Sequence, residues 1–170
     1  AHCRNAYLEE IDTNPQYQET DLVIMADLDG INNILTTTAL DSCFNNTDWD
    51  VCCANTQGPY YDIWALRHPQ WCPGDCLQEH QFLRQHGWRS YAARFSAIYS
   101  RMITIPAESG WIEVDSAFAG LAIYKKQAIN GQRYSAYAGE TAICEHVNFH
   151  KGIKKNGNKI QMLDYSNTAS

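Results

Sequence analysis

The sequence predicts a single α/β domain, and three observations support that prediction. The chain has 170 residues, which is enough for one domain with its own core. Hydrophobic residues make up 45% of it and charged residues 19%, as in ordinary globular proteins. Short apolar runs alternate with helical patterns, which is typical of a sheet that packs against helices. No repeat or linker divides the chain, so residues 1–170 are predicted to form one domain.

Apolar spacing and turn residues predict the elements in order. Helices are expected at 2–11, within 31–47, at 77–97 with an interruption at Gly87, and within 142–153. Strands are expected at 21–26, 49–54, 101–106, 111–115 and 159–163, with a further apolar segment at 118–124. The strand at 21–26 is predicted to be buried. Residues 60–66 are predicted to be extended, and the proline-containing segment 68–75 is predicted to be a loop.

Charge and cysteine content narrow the class of partner. The net charge of -6 and the lack of a long basic run argue against nucleic acid as the main partner. No apolar run approaches the ~20 residues of a membrane span. The seven cysteines, odd in number and irregularly spaced, predict reduced thiols in a cytoplasmic protein. A small basic cluster of Lys151, Lys154 and Lys155 could contact pyrophosphate or the surface of an anionic membrane, and it is also explained by a solvated helix end.

The acidic motif Asp27-Leu28-Asp29-Gly30 follows directly on the first apolar run. Alternate side chains of a strand point to the same face, so Asp27 and Asp29 are expected to emerge together. Gly30 then allows a sharp turn. Two hard oxygen ligands at a strand end suit a divalent cation that also holds phosphates. The same pattern is also consistent with a strand end that is followed by a plain acidic turn.

Four other segments, taken in order with this motif, resemble the GT-A type of nucleotide-sugar glycosyltransferase found in viruses, bacteria and fungal capsule synthesis. The likeness extends over nearly the whole chain. Its segments are Cys3-Arg4-Asn5-Ala6-Tyr7-Leu8, the pair 49–55 and 60–67, Phe118-Ala119-Gly120-Leu121-Ala122-Ile123-Tyr124, and Cys144-Glu145-His146-Val147-Asn148-Phe149. The family's first nucleotide-binding strands would precede the Arg-Asn helix, so the resemblance implies either a domain that lacks them or one that holds the base and ribose differently.

The resemblance implies a Rossmann-like fold with a mixed central sheet flanked by helices. It also implies that Asp27 and Asp29 hold Mn²⁺ or Mg²⁺ against the diphosphate of a UDP- or GDP-sugar, with Arg4 as a further donor-binding residue. Asp29 is the expected direct ligand because it lies further out on the strand. Glu145 is the expected general base for an inverting transfer to a glycan hydroxyl, although a helix-starting glutamate has a structural explanation as well.

Other side chains are assigned to the same site with structural alternatives beside them. His146 and His150 lie four residues apart, so on a helix they share a face, and one of them could complete the metal site. Asp62, Trp64 and Arg67 are candidates for binding the acceptor or the donor sugar, as is Gly120 in the strand under the acceptor site. The alternatives are structural histidines, core aromatic residues and solvated polar groups.

Two other functions remain open from the sequence. A haloacid-dehalogenase-like phosphatase would use Asp27 as nucleophile and Asp29 as acid and base. That chemistry needs a late acidic pair to complete a Mg²⁺ site, but no aspartate lies between Asp115 and Asp164. A non-catalytic carbohydrate-binding remnant would bind sugar without a metal.

Overall fold

A computed structural model describes residues 1–33, 35–56 and 58–164. The helices are α1 (His2–Thr13), α2 (Thr37–Ser42), α3 (Cys76–Gln85), α4 (Ser90–Ala97), α5 (Lys126–Ile129) and α6 (Glu145–Lys155). The strands are β1 (Leu22–Ala26), β2 (Val51–Asn55), β3 (Ile112–Glu113), β4 (Leu121–Lys125), β5 (Tyr137–Ala138), β6 (Thr141–Ala142) and β7 (Ile160–Asp164). Short 3₁₀ turns lie at Pro15–Tyr17, Cys43–Asn45, Tyr99–Arg101 and Ala107–Ser109.

The main sheet is mixed and has the strand order β1-β4-β2-β7-β3. β4 is antiparallel to both β1 and β2, β7 is parallel to β2, and β3 is antiparallel to β7. β1, β2 and β7 therefore run in one direction, and their carboxyl ends lie along one edge of the sheet. β5 and β6 form a separate hairpin. The predicted α/β class with a mixed central sheet is confirmed.

The core is centred on β4 and β2. Residues 121–124 of β4 and all of β2 are buried, so side chains of both faces are removed from water. Continuous burial of this kind requires cover on both faces of the sheet. Helix α6 contributes Phe149 and Ile153 to that cover, and Leu8 is the buried residue of α1. Among the described residues, no helix has the length and apolar character needed to cross a membrane.

The first strand forms where the sequence predicts it, but the prediction that it is buried is wrong. β1 is an edge strand and pairs only with β4 among the described strands. Leu22 is 37% exposed and Ile24 52% exposed, whereas Met25 is buried. The run of apolar residues looks like a central strand because composition does not reveal how many neighbours a strand has.

The predicted extended segment at 60–66 is also wrong, because residues 63–65 form a turn. Tyr60, Ile63 and Leu66 are buried there, so the aromatic segment contributes to the core. At 101–106 the predicted strand is reduced to one isolated bridge between Pro59 and Thr104. Gly87 ends the α3 region with a φ of +88°, as the predicted interruption requires.

Candidate functional site

Residues 27–32, called here the acidic loop, follow β1 at the carboxyl edge of the sheet, where ligands of open α/β sheets commonly bind. The backbone N–H of Asp27 donates to the carbonyl of Gly120 at 2.8 Å and continues the β1–β4 ladder. The Asn32 amide donates to the carbonyls of both Asp27 and Gly120 at 2.9 Å each. These bonds close the loop that contains the acidic motif over the start of β4.

The turn Phe118–Gly120, called here the platform, connects that loop to the aromatic segment. The N–H of Phe118 donates to the Tyr60 hydroxyl at 3.3 Å, and the N–H of Ala119 donates to Asp62 Oδ2 at 3.1 Å. Ala119 has a φ of +52° and Gly120 a φ of +87°. Few residues other than glycine adopt the left-handed region, and those that do are found often at functional sites. The platform thus orients Asp62 by means of a strained backbone.

Arg4 brings two distant carboxylates together. Its Nη2 donates to Asp27 Oδ1 at 3.0 Å, and its Nε donates to Glu145 Oε1 at 3.3 Å. Asn5 fixes the first turn of α1, because its amide both donates to the carbonyl of Tyr134 and accepts from the N–H of that residue. The Arg-Asn pair therefore has a local explanation, since Asn5 anchors the helix and Arg4 reaches the acidic loop.

Asp62 is a partly buried carboxylate near the other acidic groups. Burial raises its pKa, as do the charges of Asp27 and Glu145, while the N–H groups of Ala119 and Ala65 act in the opposite direction. Within the described residues no lysine or arginine pairs with it. Burial also raises the pKa of Tyr61 to about 12, with contributions from Asp62 and Asp27. Perturbed groups of this kind mark candidate functional sites.

The two histidines of α6, His146 and His150, are buried in the core. His150 is fully buried, and its Nδ1 and Nε2 lie 3.0 Å from the hydroxyls of Ser116 and Tyr124 respectively. His146 stacks on Phe118 with ring centroids 3.9 Å apart. In the described part of the chain its two buried ring nitrogens have no hydrogen-bond partner. Burial lowers the pKa of both side chains, that of His150 to about 3.

Trp64 and Arg67 meet at Asp75 rather than at the acidic loop. Trp64 Nε1 donates to Asp75 Oδ2 at 3.2 Å, and Arg67 Nη2 pairs with the same oxygen at 2.8 Å. Asp75 Oδ1 caps α3 by accepting from the N–H groups of Leu77 and Gln78. The four predicted sugar-binding residues therefore lie in two places. Asp62 and Gly120 lie at the platform, whereas Trp64 and Arg67 lie at Asp75.

Asp29 is exposed and accepts from the N–H of Ile31 at 3.3 Å. Asp27 is the more enclosed of the pair, because it is held by Arg4 on one side and by the β1–β4 ladder on the other. In residues 1–33, 35–56 and 58–164, no group of three or more His, Cys, Asp or Glu side chains is placed to hold a metal ion. A metal at Asp27 would therefore need ligands from elsewhere.

A cleft of about 250 Å³ opens beside Arg4, between α1 and the exposed face of β1. Its lining is mixed in polarity and includes Tyr7, Ile11, Val23 and Ile24. A larger cavity of about 590 Å³ lies near the start of β1, with Trp49 and Lys125 in its wall, and none of the predicted site residues lines it. The cleft beside Arg4 is therefore the better candidate for a ligand that also reaches the acidic loop.

We expect Asp62→Asn to lower stability at pH 7 by about 1 kcal/mol, because both carboxylate oxygens accept from a backbone N–H, Oδ1 from Ala65 and Oδ2 from Ala119, whereas an amide has only one acceptor oxygen. Thermal unfolding of the wild type and the variant measures the difference. A variant as stable as the wild type, or more stable, would mean that the two N–H bonds do not hold the carboxylate in solution.

No protein-family model matches the chain, and no curated protein sequence matches it.

Proposed function

We propose that this protein is a metal-dependent glycosyltransferase that moves a sugar from a UDP- or GDP-sugar to a glycan hydroxyl. The observation that carries the proposal is the Arg4 bridge, in which one guanidinium contacts both Asp27 and Glu145 at the carboxyl edge of the sheet. The bridge joins a guanidinium, which would bind a diphosphate, to one carboxylate that would bind the metal and to a second carboxylate. The resemblance of the sequence to GT-A enzymes supports the same assignment.

Asp27 and Asp29 carry carboxylate oxygens, the kind of ligand that Mn²⁺ and Mg²⁺ prefer. Asp27 Oδ1 already accepts from a cation at 3.0 Å, and Asp29 presents an exposed carboxylate two residues further along the same loop. Mg²⁺ is commonly bound by one or two carboxylates together with substrate phosphates and water, so a full protein cage is not required. The bound metal would act as a Lewis acid for the departing diphosphate. His146 and His150 remain candidate ligands only in the sequence-based prediction.

The residues around the platform have distinct roles in the proposed transfer. Arg4 would bind the diphosphate, for which its planar fork is well suited. The acceptor oxygen would attack the anomeric carbon as the bond to the diphosphate breaks, with inversion. Glu145, whose Oε1 is bonded to Arg4 when no donor is bound, would take the acceptor proton once the guanidinium has moved to the diphosphate. Asp62 would hold a sugar hydroxyl, since its carboxylate is fixed by the N–H of Ala119 in the platform.

The proposal is tested by nucleotide-sugar turnover. The protein is incubated with UDP- and GDP-hexoses and an oligosaccharide mixture, and released UDP or GDP is measured with Mn²⁺ and with EDTA. We expect release that requires Mn²⁺ and falls on the order of 10²-fold or more in Asp27→Asn, because the metal contributes several kcal/mol. A phosphatase would instead release inorganic phosphate from a phosphate ester with Mg²⁺, and that result would overturn the proposal.

A further inference from the structure

The structure assigns to Arg4 a second role, which rests on the proposed function: it is a positioning residue that couples metal binding to diphosphate binding. Without donor, its guanidinium occupies both the metal-binding carboxylate Asp27 and the general base Glu145. When a diphosphate takes the guanidinium, the two carboxylates are released together. The site would thereby become competent only when the donor is present.

The contacts of Arg4 show that it fills the position of a cation. Nη2 lies 3.0 Å from Asp27 Oδ1 and Nε lies 3.3 Å from Glu145 Oε1, so different nitrogens serve the two carboxylates. The guanidinium carbon lies 5.1 Å from the centroid of the Phe118 ring and 5.8 Å from that of Tyr134. The aromatic faces favour the cation in this place.

The ion pairs of Arg4 are only partly exposed to water, so solvent and salt screen them less than an ordinary surface pair. The side chains of Arg4, Asp27 and Glu145 are 23%, 36% and 23% exposed. A hydrated divalent cation that approaches Asp27 Oδ1 meets a positive charge already bonded to that oxygen. Metal alone must therefore break the Arg4–Asp27 pair and accept the repulsion of the guanidinium, which weakens its binding.

The side chain of Arg4 can exchange partners while its helix stays in place. Asn5 keeps the backbone of α1 fixed through two hydrogen bonds to Tyr134, at 3.0 Å and 2.8 Å. The long Arg4 side chain has the rotamer freedom to move from carboxylates to phosphate oxygens. Metal and diphosphate then each remove an obstacle to the other, and linkage requires that the two effects be equal.

The experiment measures Mn²⁺ binding by calorimetry, without nucleotide and with saturating UDP or GDP. We expect Arg4→Gln to bind Mn²⁺ alone at least about fivefold more tightly than the wild type, the lower end of typical couplings. The factor by which nucleotide tightens Mn²⁺ binding should shrink in the same variant. An unchanged or weaker affinity of Arg4→Gln for Mn²⁺ alone would overturn the coupling.

Two variants separate bridging from simple charge. Arg4→Lys keeps the charge but has one nitrogen in place of two, so its Mn²⁺ affinity should lie between those of the wild type and Arg4→Gln. Arg133, which pairs with Asp12 at 2.9 Å, is the control outside the site. Arg133→Gln should bind Mn²⁺ as the wild type does, and a tightening equal to that of Arg4→Gln would overturn the inference.

The wild type provides a readout that does not depend on a folded variant. The Arg4 Nε–H NMR signal should shift when Mg²⁺ and UDP or GDP are added together, and less with Mg²⁺ alone. An identical signal in all states would overturn the coupling. If the wild type binds neither nucleotide in the presence of metal, the proposed function itself fails. If it binds them and the variants show no change in Mn²⁺ affinity, only the coupling fails.

Discussion

Replacing Gly120 by alanine is expected to lower the free energy of unfolding by about 2–4 kcal/mol. Gly120 has a φ of +87°, a conformation that residues with a Cβ rarely adopt. A Cβ at this position would lie 2.6 Å from Ile31 Cγ2 and 3.3 Å from the Tyr61 hydroxyl. The acidic loop would have to move, and the Asn32 bond to the carbonyl of Gly120 would be strained. Urea unfolding monitored by tryptophan fluorescence measures the loss.

Gly87 provides a matched control for this variant. Its φ of +88° is nearly the same, but a Cβ at Gly87 would have no described neighbour within 4 Å outside the adjoining residues. Gly87→Ala should therefore lose only the backbone contribution of about 1–2 kcal/mol. The difference between the two variants isolates the close approach of the acidic loop to the platform. Equal losses in both variants would mean that the loop does not pack against Gly120 in solution.

Acidification is expected to destabilise the protein through His150, and the lowered pKa of the buried His146 acts in the same direction. Burial lowers the pKa of His150 to about 3, from an ordinary value near 6.5. Between these values the unfolded chain binds a proton that the folded protein does not, so stability falls as the pH falls below about 6.5. His150 alone contributes a slope of about 1.4 kcal/mol per pH unit, or about 2 kcal/mol between pH 6 and pH 4.5. Urea unfolding in the presence of EDTA at several pH values measures it.

Two variants separate the titration of His150 from its hydrogen bonds. His150→Gln removes the titrating group, so we expect the stability of this variant to depend less steeply on pH by about that slope. Tyr124→Phe removes the hydroxyl 3.0 Å from Nε2 but leaves the histidine buried, so it should lower stability by about 1 kcal/mol and keep the slope. The raised pKa of Asp62 acts with the opposite sign in all three proteins. If His150→Gln and the wild type share one slope, this explanation is wrong.

The sequence predicts the elements well where apolar spacing decides them. The first helix, the strand before the acidic motif and the helix pair interrupted at Gly87 all form close to their predicted positions. Strand order is not encoded in the same way. Nothing in Leu22-Val23-Ile24-Met25 indicates that β1 is an edge strand, whereas β4, at 121–125, has a neighbour on each side.

The candidate site is only partly accessible to sequence reasoning. The motif identifies Asp27, and the resemblance identifies Arg4 and Glu145, but their contact joins residues up to 141 positions apart. Asn32 leaves no signal, because an amide that bonds two carbonyls has no characteristic spacing. The sequence analysis names Gly120 but does not predict the conformation of the platform. The φ of +52° at Ala119 depends on the residues that surround it in the fold.

The most direct test of the central claim is calorimetric titration of UDP and GDP with and without Mn²⁺. The wild type should bind one of them only when Mn²⁺ is present. Asp27→Asn should abolish that binding, and Asp29→Asn, on the exposed position of the same loop, should weaken it less. Nucleotide binding that is equally strong in EDTA, or that survives in Asp27→Asn, would contradict the claim that Asp27 holds the metal for a nucleoside diphosphate.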